Sequence, residues 1–129
     1  FCYNGLWRSH TMNAFVSKMS SECFKAADKV RFSRVFPFGR ELLTDPAGRP
    51  LCAIGHVLAG SGVKITDPTL GPALVIEDMV GKRPPDTLLS TMYQVMTCND
   101  GLRGAARRGG VSANLRKLGK KLQQWGDLL

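Results

Sequence analysis

The sequence predicts a mainly α fold: a single compact domain of about five helices, with one small β-hairpin near residues 41–52. Three observations point there. Apolar residues recur at steps of three and four in several segments, the signature of amphipathic helices. Proline and glycine interrupt those segments at short intervals. The chain has 129 residues, 43% hydrophobic and 22% charged, which suits one domain with its own core.

The elements follow in order. Met12, Phe15, Val16, Met19, Cys23, Ala27 and Val30 form one stripe, so a helix is expected over residues 12–30, capped by Thr11 or Ser9. Residues 1–11 are either a translated leader or a flexible N-terminal segment, because Trp7-Arg8 can be encoded as a ribosome-binding sequence ahead of a Met12 start. Next, RFSRVFPFGREL mixes aromatic and basic residues, and Pro37 and Gly39 break any long helix. Phe32, Phe36 and Phe38 are either core residues or, if exposed, stacking platforms for bases.

Asp45-Pro46-Ala47-Gly48 is turn chemistry. Pro46 presets φ, Asp45 can bond the turn backbone, and Gly48 permits positive φ. Short strands at 41–44 and 49–52 would flank it as the hairpin. A helix is expected over Leu51–Ala59, after Pro50 and stopped by Gly60 or Gly62. Gly55 inside it costs roughly 1 kcal/mol against Ala, and close approach by another element would explain its presence. Pro72 opens ALVIEDMV, a helix stopped by Gly81, although Ala73–Ile76 also suits a strand. KRPPD is a linker. Asp86 can cap a helix through Cys98 with Leu88, Leu89, Met92, Val95 and Met96 inward. In the last helix Val111, Leu115, Leu118, Leu122, Trp125 and Leu129 form one stripe, and Ser112 can cap its start. There are no internal repeats.

Between those two helices lies CNDGLRGAARRGG, residues 98–110, with four glycines and three arginines in thirteen residues. It is either a phosphate-gripping loop or a flexible connector. Asn99 and Asp100 are expected to be structural, turning the chain out of the preceding helix.

Net charge is +8 with a pI near 9.7. The excess is uneven: residues 101–129 carry Arg103, Arg107, Arg108, Arg116, Lys117, Lys120 and Lys121 against Asp127, which is seven minus one, or +6 of the +8. A basic helix with arginines beside its N-terminus suggests an anionic partner, nucleic acid first. The same pattern also suits a solvated lysine face. These seven cations are therefore the candidate anion-binding residues, and the leading reading is a small, basic, non-enzymatic binding module. A second reading is an accessory or inhibitor protein that docks on an acidic protein surface.

A third reading is a small thiol enzyme. Cys52 and His56 are four residues apart, so a helix sets them one turn apart, and Asn99 or Asp100 could orient the imidazole. The bland alternative makes Cys52 a small core residue and His56 a helical surface residue. With Cys23 and Cys98 the same pair could form a zinc site, but structural zinc sites show tight local ligand pairs and these are scattered, so no metal is expected. There is no P-loop motif, and no cofactor is expected. Gly101-Leu102-Arg103-Gly104 matches a G-x-x-G RNA-clamping loop, but the strands such a fold requires are not evident. The carboxylates show no paired or H-E-x-x-H motif.

No apolar run approaches the ~18–20 residues of a membrane span, and no signal peptide is expected in FCYNGLWRSH, which lacks an apolar central region and a small-residue cleavage site. The expectation is a soluble, cytoplasmic protein with reduced thiols and no membrane partner.

Two segments resemble a family of short, uncharacterised bacterial and phage proteins. One is DPAGRPLCAIGHVL, residues 45–58, similar to that family's acidic turn ending G-R-P and followed by C-A-x-G. The other is Asn99-Asp100, which looks like the family's N-D motif ahead of a final helix. This chain differs in having His56 where a small residue is usual, and a longer arginine-rich segment after N-D. The resemblance implies fold and origin but no activity, with Cys52, Gly55, Asn99 and Asp100 as structural motif positions.

Overall fold

The computed structural model describes residues 4–29, 32, 43–45, 47–65 and 70–129, with the side chains of 4–12 left aside. Five helices account for most of them: α1 (Asn4–Lys29), α2 (Ala53–Gly60), α3 (Pro72–Val80), α4 (Asp86–Gly101) and α5 (Gly104–Leu128). No strand forms among the described residues beyond one isolated antiparallel bridge, Thr44 to Pro50.

The long helices α1 and α5 run antiparallel and make the most extensive pairing. Ser112 donates to the Ala27 carbonyl at one end (2.9 Å), and Gly126 packs on Val16 at the other. Midway, the buried Ser20 hydroxyl donates to the Gly119 carbonyl at 2.6 Å. A Cβ at Gly119 would stand 2.8 Å from the Phe24 ring, so glycine there sets how closely the helices approach. Helix α4 packs along α5, α2 wedges against α1 and α4, and α3 leans on α1. The expected stripes meet in one core that includes Phe15, Val16, Met19, Cys23, Leu88, Met92, Met96, Leu115, Leu118, Leu122 and Trp125.

Several expected boundaries move. Helix α1 begins at Asn4 rather than Met12, since GLWRSHT holds no proline to interrupt it. The helix start expected at Leu51 lies at Ala53, with Cys52 as its N-cap. Asp86 is the first residue of α4 rather than its cap. The expected hairpin shrinks to the Thr44–Pro50 bridge. Among the described residues the bridge is flanked by Asp45 N–H to Arg49 O (2.9 Å) and Leu51 N–H to Leu43 O (3.0 Å), a pattern that needs no N–H from Pro50, and the chain then enters α2 at its N-cap Cys52. Asp45 does anchor the turn, accepting from the Arg49 N–H (2.8 Å) and Nε (2.7 Å), and Gly48 takes φ +84°. Pro46, Phe36 and Phe38 lie outside the described residues, while Phe32 is buried. Residues 73–76 are helical, with Gly81 ending α3 in the left-handed conformation.

Candidate functional site

The stretch CNDGLRGAARRGG is mostly helical. Helix α4 continues through Gly101 and α5 begins at Gly104, so only Leu102 and Arg103 separate them. Gly104 turns the chain with φ +56°. Asn99 and Asp100 thus sit in the last turn of α4 and do not make the turn themselves. Ser112 lies two turns inside α5 instead of capping it.

Arg107 holds this elbow closed. Its Nε donates to the Asn99 carbonyl at 2.6 Å, and its Nη2 donates to Asn99 Oδ1 at 3.2 Å and to the Phe32 carbonyl. A last-turn carbonyl has no partner within its own helix, and a cation there is also favoured by the negative end of the helix dipole. Asn99 is fully buried, and its Nδ2 donates to Asp100 Oδ1 at 2.8 Å. Arg107 therefore ties α4, α5 and the segment after α1 together. This departs from the expectation that it lies free for an anion.

Cys52 and His56 border the same corner. The Cys52 thiol is buried and accepts from the Gly55 N–H at 3.3 Å, so it caps its own helix. Burial pushes it up to about 11, against the lowering effect of the Gly55 N–H, and the nearby Asp100 carboxylate raises it further. A thiol held protonated near neutral pH is a poor nucleophile. Helix α2 rests chiefly on α1 and α4, and the Asp100 carboxylate in the last turn of α4 is near enough to act on the Cys52 thiol. His56 is exposed, with its ring tilted against Phe32 at 5.2 Å between centroids. Partial desolvation and then Lys29 lower its pKa. Cys52 and His56 are therefore not hydrogen-bonded as nucleophile and base.

The close approach expected at Gly55 is present. A Cβ there would lie 2.1 Å from the Leu43 carbonyl oxygen. Cys23, Cys52 and Cys98 are free thiols, and among the described residues no three metal-ligating side chains gather.

Comparison adds no relative. No protein-family model, curated protein or solved structure matches this chain.

The remaining cations lie on or beside α5. With its apolar stripe turned to the core, Arg116, Lys117 and Lys120 face solvent and Lys121 is half-buried. Arg103 and Arg108 are exposed at the elbow. Arg108 and Lys120 are about 18 Å apart along the axis at 1.5 Å per residue. Arg116 forms a 2.6 Å ion pair with Asp28 of α1. Arg103, Arg108, Lys117, Lys120 and Lys121 pair with no described carboxylate. Sequence reasoning missed two partners, the Phe32 carbonyl for Arg107 and Asp28 for Arg116. Both are remote in sequence, so no local spacing signals them. Among the described residues no helix is long and apolar enough to cross a membrane.

Proposed function

We propose that this protein is a small non-enzymatic module that binds the phosphate backbone of nucleic acid in the cytoplasm. The outer face of α5 and the α4–α5 elbow carry the contacts: Arg103, Arg108, Arg116, Lys117, Lys120 and Lys121. The observation that supports this reading is a run of solvent-facing cations along one rigid helix, most of them without a carboxylate partner. A cation with no internal partner is available to an anion, and phosphate contacts attract without reading sequence. The N-terminus of α5 has no side-chain cap, which adds unsatisfied N–H groups and positive potential beside Arg103 and Arg108. Arg107 is left out of the contact set because its guanidinium serves the fold.

Titrating labelled DNA and RNA with protein at several salt concentrations tests this. Affinity should fall steeply with salt and show little sequence preference. Changing Arg103, Arg108, Lys117 or Lys120 to Gln should each reduce the log–log slope by about one. Absence of binding to either nucleic acid at low salt overturns the proposal.

A protein partner is the second reading, favoured by a groove of about 450 Å³ beside α3 that is lined in part by the exposed Leu70, Leu74 and Met79. Capture of a partner that survives nuclease treatment supports it over the first.

A further inference from the structure

We infer that Asp28 is a built-in competitor for the basic face, occupying Arg116 where a phosphate would bind; this rests on the nucleic-acid reading. Arg116 lies within that face, two turns beyond Arg108 and one turn before Lys120. Unlike the other α5 cations, it is held by a carboxylate from a different helix. Its Nη2 meets Asp28 Oδ1 at 2.6 Å, across the α1–α5 seam.

A carboxylate accepts from a guanidinium in much the way that a phosphate oxygen does. The pair is not a buried structural bridge, since the Arg116 and Asp28 side chains keep 48% and 71% of their surface exposed. Nearby bonds, Ser112 to Ala27 and Ser20 to Gly119, fix the register of α1 on α5 without it. An exposed pair of this kind contributes little to stability, yet while it holds the guanidinium a phosphate gains little from Arg116. Asp28 also adds repulsion toward an anion on this face. Asp28 thereby sets how many phosphates the helix neutralises: one fewer with it in place.

The test uses the whole chain and a short mixed-sequence DNA duplex, read by fluorescence anisotropy across a salt series. Asp28→Asn should tighten binding at low salt by about two- to fivefold, the scale of one exposed ion pair. Its log–log salt slope should steepen by about 0.9, the value for one further phosphate contact. Asp127→Asn is the control, because it removes the same charge from α5 without releasing a paired cation. It should leave the slope unchanged. Arg116→Gln should weaken the Asp28→Asn variant more than it weakens wild type.

An unchanged slope in Asp28→Asn, with wild-type binding intact, overturns this inference alone. So does an Asp127→Asn variant that reproduces the full effect. A wild-type protein that binds no duplex at low salt overturns the inference together with the reading beneath it.

Discussion

Replacing Arg107 by Gln separates an arginine that folds the protein from those proposed to bind. Gln is too short to span from α5 to both the Asn99 carbonyl and the Phe32 carbonyl. The change removes a charged donor from three bonds, two of them to Asn99, a residue with no exposed surface. A hydrogen bond to a charged group contributes ~1.5–3 kcal/mol, and three such bonds are lost. Those figures do not add in full, because Arg107 is only half-buried and water can reach part of the gap. A loss of ~2–4 kcal/mol follows. At about 4 °C per kcal/mol for a chain of this size, the melting midpoint should fall by roughly 8–16 °C. Exposed Arg108 is the neighbouring control, and Arg108→Gln should stay within about 0.5 kcal/mol of wild type. Thermal unfolding followed by circular dichroism gives both values. If Arg107→Gln melts with Arg108→Gln, the guanidinium does not hold the elbow and the assignment of Arg107 to the fold is wrong.

Gly55→Ala should also destabilise, although alanine improves helix propensity by about 1 kcal/mol. The new methyl requires the Leu43 carbonyl to withdraw from a 2.1 Å contact, and that carbonyl also accepts from the Leu51 N–H. Overpacking (~1–3 kcal/mol) plus a weakened hydrogen bond (~0.5–1.5 kcal/mol) outweighs the gain. Equal or higher stability by urea unfolding would show that the segment simply moves aside. For the thiols, Cys52 and Cys23 should react slowly with iodoacetamide and half-buried Cys98 faster, as read by mass spectrometry of the intact protein. Cys52 is raised from 9.0 to about 11 in the folded chain, so the unfolded chain releases its proton first. Its contribution to stability is complete below about pH 9 and is lost as pH rises to about 11. Cys52 labelling as fast as Cys98, or stability rising with pH in that window, would contradict the burial.

Much of the fold is legible in the residue order because helix periodicity is local information. Steps of three and four select the face each helix buries, whatever it is buried against. The stripes ending at Met96 and beginning at Val111 are buried as expected. So is Gly55, whose poor propensity signalled a close approach before the approaching carbonyl was known. The helix ends were less legible. Asn99, Asp100 and the glycines after them read as a loop because local propensity disfavours helix there by roughly 1 kcal/mol per glycine. Arg107 and the packing of α5 on α4 offset that cost, through partners the local pattern does not contain.

The sequence by itself determined the class, the helix faces and the charge: a small helical protein whose last helix is cationic on one side. Each follows from composition or from spacing within one or two turns. The tertiary structure decided which cations remain for a partner. Seven basic residues are alike in the residue order, yet Arg107 is drawn into the fold by Asn99 and Phe32, and Arg116 is held by Asp28. Hydrogen bonds and ion pairs depend on distance in space, and residues 32 and 107, or 28 and 116, become neighbours only once α1 and α5 have packed.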